Sequence, residues 1–292
     1  MFSYLARKVL RISCPKEVLK MIEKEKFYEK IQLSDECIRC VEEYRMGRSE
    51  YEQWKKLFWN NCDDFLEKID NYIDSKQKAL YLYVQFAIEV YDEFKMKGIS
   101  EQIYFSTMKD ITIWSNSCLD RYKKPGLISC RWGSLSIKRK VIRLGRLQFE
   151  PVKLEKEILY KDEIYERGVK VVKIHIPEDG KLDEESCKKS LICAKDFFGT
   201  EYKIYMCDSW LLSPKLLNFM GSKSNIVRFQ KRFNIYEVDY SSKQAEQRVF
   251  GTIEYNKDIY PEHKSLEKNL KHYLQEHPEE EIGVGKVVLS KI

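Results

Sequence analysis

Residues 169–176 read Val-Lys-Val-Val-Lys-Ile-His-Ile, a β-branched run that predicts a strand. Asp183 then caps a predicted helix that ends at Gly199, and a second apolar run at 202–206 predicts another strand. A strand, a helix and a second strand form a βαβ unit, whose two strands pair in parallel. The sequence therefore predicts a parallel strand pair, covered by a helix, within the second half of the chain.

The rest of the second half is also mixed α/β. Further strands are predicted at 141–152, 157–164, 233–240 and 283–290. Helices are predicted at 183–198, 214–220, 225–231 and 263–275. This order of elements indicates a mixed sheet with helices packed on it.

The first half carries the period of helices instead. Apolar residues fall at helical spacing over 76–97, and Gly98 stands where a left-handed C-terminal residue belongs. The segment Lys123-Lys124-Pro125-Gly126 ends the helical region. We therefore predict an α+β protein of two domains, a helical bundle over 1–125 and a mixed α/β domain over 126–292.

Composition argues against several classes of protein. The 292 residues include 52 Lys and Arg against 46 Asp and Glu, a net charge of +6, with no basic block long enough for a nucleic-acid arm. No apolar run reaches the roughly 18 residues that a membrane helix needs. The nine cysteines are scattered along a chain too long to need disulfides, which favours reduced thiols. We expect a cytoplasmic protein that binds neither nucleic acid nor membrane.

Four segments of the second half resemble those of a known family. In chain order they are Arg143-Leu-Gly-Arg-Leu-Gln-Phe-Glu150, His175-Ile-Pro177, Ser209-Trp-Leu-Leu212 and Ser224-Asn-Ile-Val-Arg-Phe-Gln-Lys-Arg-Phe233. Together they resemble the bacterial acyltransferase-domain family, in which a helical N-acyltransferase N-terminal domain precedes a GNAT-like C-terminal domain. The resemblance implies a GNAT-like fold, an acyl-CoA co-substrate and transfer of the acyl group to an amine.

The resemblance also points to candidate catalytic residues. In a GNAT domain two neighbouring strands diverge at their C-terminal ends, and the ligand enters the gap; these strands would be 169–176 and 202–206. His175 lies at the end of the first, and Asp208 and Ser209 follow the second. His175 would then act as the general base toward the amine. The residues alone equally allow a strand-end histidine that only bonds a loop carbonyl.

Nearby residues are candidates for cofactor binding. Trp210 would either stack on a ligand or pack a helix onto the sheet. Ser224 and Asn225 cap a short predicted helix that carries Arg228. Free N–H donors with a cation one turn away suit an anionic group of acyl-CoA, although the same residues also make an ordinary helix cap.

Other motifs carry less weight. Cys207 with His175 would make a nucleophile and its base, but a cysteine in an apolar strand is usually a buried core residue. Arg146 and Gln148 are predicted on one strand, where they would bind a ligand or the other domain. Cys37-x-x-Cys40 lacks a second pair at usable spacing, so no metal site is predicted. Gly283-Val-Gly285 is a lone G-x-G before a strand.

One loop departs from the GNAT pattern. GNAT enzymes hold the pyrophosphate of coenzyme A on backbone N–H groups of a glycine-rich loop between the first diverging strand and the following helix. The matching loop here, residues 177–185, holds five acids, one Lys and one Gly. Each close acid would repel a diphosphate by about 1 kcal/mol at the surface.

Two functions therefore stay open. The first is an N-acyltransferase that moves an acyl group from acyl-CoA to a small-molecule amine, which would enter between the two domains. The second is a non-catalytic binding or scaffold protein that kept the GNAT-like architecture, lost the pyrophosphate loop and binds a protein partner. Binding of acyl-CoA separates the two.

Overall fold

The computed structural model describes residues 22–160 and 163–289, and its first part is helical. The helices there are α1 (Lys24–Ile31), α2 (Asp35–Glu43), α3 (Arg48–Asn60), α4 (Cys62–Asp70), α5 (Ser75–Glu89), α6 (Tyr91–Met96), α7 (Glu101–Met108), α8 (Asp110–Tyr122) and α9 (Cys130–Ile137). Within the described ranges, no helix is both long enough and apolar enough to cross a membrane.

The helical pattern at 76–97 forms two helices rather than one. The chain turns at Val90 between α5 and α6, and Gly98 follows α6 with a left-handed φ of 74°. Lys123 follows the last residue of α8 and also has a left-handed backbone conformation, with φ of 55°. The helical region does not stop there, because α9 lies beyond it and packs against α5.

The second part is mixed α/β. Its strands are β1 (Ile142–Leu144), β2 (Leu147–Lys153), β3 (Ile158–Tyr160), β4 (Glu163–Tyr165), β5 (Lys170–His175), β6 (Ile204–Ser209), β7 (Ile235–Asp239) and β8 (Val284–Leu289). Its helices are α10 (Glu184–Phe198), α11 (Leu216–Phe219), α12 (Asn225–Gln230), α13 (Gln244–Phe250) and α14 (Ser265–Glu276). The predicted architecture, a helical region followed by a mixed α/β region, is confirmed.

Six of these strands form one sheet in the order β1-β2-β5-β6-β8-β7. The predicted βαβ unit is confirmed, since β5 and β6 pair in parallel and α10 connects them. The other pairings in the sheet are antiparallel. The parallel pair therefore lies at the centre of the sheet, and each of its strands has an antiparallel neighbour on its outer side.

Two predicted strands are wrong in detail. The strand predicted at 141–152 is a hairpin of β1 and β2, because Gly145 turns the chain at a left-handed φ of 72°. Arg146 therefore lies in a turn and does not share a strand with Gln148. The strand predicted at 157–164 is a second hairpin, β3 with β4, which forms a separate two-stranded sheet.

The two faces of the main sheet are covered differently. One face presents Phe149, Val172 and Tyr205 to the core, which continues into α10 and into the helical region. On the other face, Val171 and Met206 belong to a small apolar cluster with the β3–β4 hairpin. The helical region joins the sheet at its β1 edge, where α7 packs against β1. The remainder of the second face is left to polar side chains.

Candidate active site

The two central strands separate at their C-terminal ends. Pairing between β5 and β6 runs from Val171↔Ile204 to Lys173↔Met206 and stops. Beyond that point β5 pairs with β2 alone, with Gln148 opposite His175. In the same way, β6 continues alone with β8 as far as Ser209. The backbones therefore leave a notch between the tips of the two strands.

A cleft of about 590 Å³ opens at this notch and extends to the helical region. Its wall from the helical region includes Asp110, Ile113, Trp114 and Trp132. Its wall from the α/β region includes the β5 tip and following loop (Ile174–Glu178), the β6 tip and following turn (Cys207–Leu211), and parts of α12, α13 and α14. The cleft combines aromatic surface with a few polar groups, which is typical of small-molecule sites.

His175 lies in this cleft and is paired with a carboxylate. Its Nε2 lies 2.9 Å from Oε2 of Glu150, and its ring meets the edge of Trp132 at a centroid distance of 4.7 Å. The hydrogen bond from His175 lowers the pKa of Glu150, so this group is an ionised carboxylate at neutral pH. When Nε2 donates to Glu150, Nδ1 is the nitrogen that can accept a proton.

Asp208 and Ser209 follow on the tip of β6. The Asp208 side chain is exposed on the same sheet face as Lys173, and Lys286 lies opposite it on β8. Although its side chain reaches solvent, the surrounding protein removes part of the water around the Asp208 carboxyl and raises its pKa. The charges of Lys173 and Lys286 act in the opposite direction. The Ser209 hydroxyl accepts from the Leu211 N–H at 3.2 Å, which starts the short turn at Trp210–Leu212.

Cys207 is not placed as a nucleophile. It is buried, and burial raises the pKa of its thiol far above the usual range. It points to the opposite sheet face from Asp208, among the apolar side chains of the core. A neutral buried thiol is a packing residue.

Three of the four residues predicted to bind the cofactor line the cleft, and the fourth does not. Trp210, Ser224 and Asn225 line the cleft. Trp210 is largely buried and packs on an apolar cluster that includes Leu216. Arg228 is exposed and is not part of the cleft wall. The cation predicted for this cluster is therefore not brought to the cleft.

The acidic loop after β5 is surrounded by arginines that the linear sequence does not place there. Asp179 forms a bidentate pair with Arg143, at 2.7 and 3.0 Å. Burial alone would raise the pKa of Asp179, but the hydrogen bonds and charge of Arg143 outweigh it and lower the pKa. Glu178 lies 3.4 Å from Arg248. Two of the five acids of this loop are thus paired with arginines.

The other three acids, at the start of α10, are also engaged. Glu184 lies 3.6 Å from Arg232, and the Asp183 side chain accepts from the Ser186 N–H at 2.9 Å as the helix cap. Asp183 was predicted to cap this helix, and it does. The exposed Glu185 pairs with Lys189 on the next turn.

Arg146 is held by the backbone of the same loop. Its Nε donates to the carbonyl of Lys181, and its Nη2 donates to the carbonyls of Pro177 and Gly180, at 2.6–2.9 Å. Its Nη1 is buried at the cleft wall and has no hydrogen-bond partner among the described residues. An unpaired guanidinium N–H beside a cleft is a donor for an anionic ligand group.

Asp110, at the start of α8, brings a carboxylate from the helical region to the cleft. It is only 2% exposed, and its two oxygens accept from Ser136 Oγ at 2.6 Å and from Gln148 Nε2 at 2.7 Å. Burial raises its pKa to about 6, although both hydrogen bonds act to lower it. Sequence reasoning missed Asp110 and Glu150. The only signal for Asp110 was a charged residue beside an apolar helical stripe.

The chain matches known domain families over most of its length. Residues 23–138 match the N-acyltransferase N-terminal domain family, and residues 141–287 match the GNAT-like C-terminal domain family. No protein with a curated description matches the chain.

Several solved structures share the fold. An acyltransferase in complex with decanoyl-CoA and teicoplanin is 16% identical, with a TM-score of 0.73 over 94% of this chain and 90% of its own. An acyltransferase in complex with CoA and 10C-teicoplanin is also 16% identical, with a TM-score of 0.72 over 91% and 87%. A mutant acyltransferase in complex with octanoyl-CoA is 16% identical, with a TM-score of 0.72 over 94% of this chain and 91% of its own.

Proposed function

The chain belongs to the family of the GNAT-like C-terminal domain, and we propose that it is an N-acyltransferase that moves an acyl group from acyl-CoA to a small-molecule amine. The observation that carries this proposal is the notch between the tips of β5 and β6, which opens into a cleft lined by His175. Acyltransferases of the same fold are bound to CoA, octanoyl-CoA and decanoyl-CoA. Two of those complexes also hold teicoplanin or 10C-teicoplanin, which is consistent with a small-molecule acceptor here.

His175 is the proposed general base. The amine nitrogen attacks the thioester carbonyl, the C–N bond forms, and the proton that the nitrogen loses passes to Nδ1 of His175. The carboxylate of Glu150, 2.9 Å from Nε2, stabilises the imidazolium that results. The C–S bond then breaks, and the imidazolium returns a proton to the leaving thiolate. No covalent intermediate on the protein is needed.

The remaining predicted residues keep supporting roles in this proposal. Asp208 and Ser209 stand on the opposite side of the notch from His175, where Asp208 would orient the acceptor and the Ser209 hydroxyl fixes the turn. Trp210, Ser224 and Asn225 form cleft wall on the cofactor side. Arg228 is exposed outside that wall, and we assign the phosphate contacts to Arg146 instead.

The non-catalytic alternative is not favoured. It depended on the acidic loop repelling a diphosphate, and three of the five acids of that loop pair with arginines while Glu185 pairs with Lys189. The loop also holds Arg146, a residue of the cleft wall whose buried Nη1 has no hydrogen-bond partner among the described residues. These contacts support a phosphate-binding surface built from arginine side chains in place of a glycine-rich backbone.

Binding of octanoyl-CoA tests the proposal. A ligand that binds only the folded state at a hundred times its Kd adds about 2.7 kcal/mol to the free energy of unfolding, so we expect a clear rise in Tm. Incubation with octanoyl-CoA and a panel of primary amines should yield an amide, detected by mass spectrometry. If no acyl-CoA raises the Tm and none loses its thioester, the result would favour the scaffold function.

A matched pair of variants locates the phosphate contact. Arg146→Met keeps the aliphatic stem and removes the guanidinium with its unpaired Nη1, so we expect affinity for octanoyl-CoA to fall by about tenfold or more. Arg131→Met removes an arginine whose ion pair with Asp63 is exposed and lies outside the cleft, and it should leave that affinity unchanged. Equal affinities in the two variants would place the phosphates elsewhere.

A further inference from the structure

Asp110 is a buried carboxylate without a counter-ion. Its oxygens accept hydrogen bonds from neutral groups only, Ser136 and Gln148, and within the described residues it forms no ion pair. The charge of Arg143 acts on Asp110, but this guanidinium is already engaged in a bidentate pair with Asp179. A buried charge of this kind is costly unless a partner compensates it.

The same carboxylate faces the place where the acceptor would react. Asp110 lines the cleft although it is almost fully enclosed. Gln148, which donates to it, lies directly opposite His175 in the β2–β5 pairing, so these two side chains share one sheet face. Asp110 is therefore hydrogen-bonded to Gln148, a residue that lies beside the proposed base His175 in the sheet.

We propose that the carboxylate of Asp110 binds the acceptor as an ammonium ion, so that the helical region supplies the cation-selective contact of the site. This inference rests on the proposed function and adds the charge of the acceptor to it. A carboxylate has lone pairs for more than two hydrogen bonds, so an ammonium N–H can join the two existing donors. The bound ion supplies the counter-charge that the protein lacks.

The bound ammonium must lose a proton before it attacks. That first proton passes to His175 and on to solvent, and the neutral amine then attacks the thioester as described above. The sum is one ammonium and one thioester giving one amide, one thiol and one proton. The aromatic wall next to Asp110, Trp114 and Trp132, suits an acceptor with an apolar body.

Two probes of equal shape test the charge requirement in the unaltered protein. Phenethylamine is a cation at pH 7 and 2-phenylethanol is its neutral counterpart. By isothermal titration with CoA present, which carries no acyl group to transfer, we expect the amine to bind at least about tenfold more tightly than the alcohol. Equal affinity, or no measurable binding of the amine, would overturn the assignment of Asp110.

The variant Asp110→Asn removes the charge and keeps the shape. Its amide oxygen can still accept from Gln148, and the Ser136 hydroxyl can rotate to accept from the amide N–H. We expect affinity for phenethylamine to fall by about tenfold or more while affinity for octanoyl-CoA stays within about twofold. Asp120→Asn, an exposed carboxylate on the same helix, is the matched control and should change neither.

The results separate this inference from the function on which it rests. Undiminished binding of phenethylamine by Asp110→Asn would overturn the inference and leave acyl transfer intact. Charge discrimination that depends on Asp110 in a protein that binds no acyl-CoA would support the cation site and contradict the transferase. Loss of binding of both ligands in Asp110→Asn would mean a structural role and would also overturn the inference.

Discussion

The parallel pair of β5 and β6 has two ends of opposite character. At the first end the strands are hydrogen-bonded to each other, and Val171 and Met206 pack in an apolar cluster beneath the β3–β4 hairpin. At the second end the strands diverge, and His175 and Asp208 face a cleft. The same two strands thus pack an apolar cluster where they pair and line a cleft where they part. Substitutions at the two ends should therefore affect different measurements.

The largest effect is expected at the diverging end. His175→Gln retains a hydrogen-bonding group for Glu150 but has no titratable nitrogen, so we expect kcat to fall by about 10²–10⁴ with a Tm close to that of the wild type. Amide formation from octanoyl-CoA, followed by mass spectrometry, measures the change. A variant with undiminished kcat would show that the notch does not hold the base.

The paired end should show the reverse. Met206→Ala deletes a side chain that is 5% exposed, and we expect the free energy of unfolding to fall by about 2–5 kcal/mol. Urea denaturation measures this loss, and kcat of the folded protein should stay within about twofold of wild type. Ile164→Ala, on an exposed position of the covering hairpin, is the control and should cost less than about 0.5 kcal/mol. A large loss of kcat in Met206→Ala would contradict the division between the two ends.

A smaller effect is expected at the glycine beside the β6 tip. Gly285 lies opposite Ser209, and a Cβ there would collide with the backbone of Leu212. Because backbone cannot move aside as a side chain can, Gly285→Ala should cost about 1–3 kcal/mol of unfolding free energy and weaken binding of octanoyl-CoA. At Gly221 nothing lies within 4 Å of an added Cβ, so Gly221→Ala is the matched control. Equal Tm values for the two variants would mean that the turn yields easily.

An effect of similar size concerns the dependence of stability on pH. Burial raises the pKa of Asp110 to about 6, so the folded protein holds this proton more tightly than the unfolded chain does. The stabilisation it gives is complete below about pH 4 and is lost as the pH rises through 6. Relative to Asp110→Asn, the unfolding free energy of the wild type should therefore fall by about 1–3 kcal/mol between about pH 4 and 7. Urea denaturation of both proteins at four pH values measures this; a constant difference would contradict the raised pKa.

The sequence predicted those parts of the fold that depend on local pattern. The unit β5–α10–β6 was predicted because a β-branched run, a capped helix and a second run lie within forty residues of one another. Sequence patterns also separated the helical region from the α/β region. The hairpin of β1 and β2 was missed because the apolar alternation runs on both sides of Gly145, whose left-handed φ turns the chain.

The parts of the site that were missed depend on contacts between distant residues. Glu150 lies 25 residues before His175 and Asp110 lies 38 before Gln148, and neither spacing has a local signature. Asp179 and Glu178, which follow β5, pair with arginines that lie 36 and 70 residues away in the sequence. A linear count of charge in that loop therefore predicted repulsion, whereas the folded chain brings compensating cations to it.

The arrangement of neighbours in the sheet has a consequence for how a ligand is received. Beyond the notch, β5 stays hydrogen-bonded to β2 and β6 stays hydrogen-bonded to β8. The separation between the tips of β5 and β6 therefore does not depend on a bound ligand. A ligand entering such a preorganised opening bears little of the entropy loss that accompanies the ordering of loops. Association of the ligand with this protein should then be governed by diffusion into the opening rather than by a slow rearrangement of the sheet.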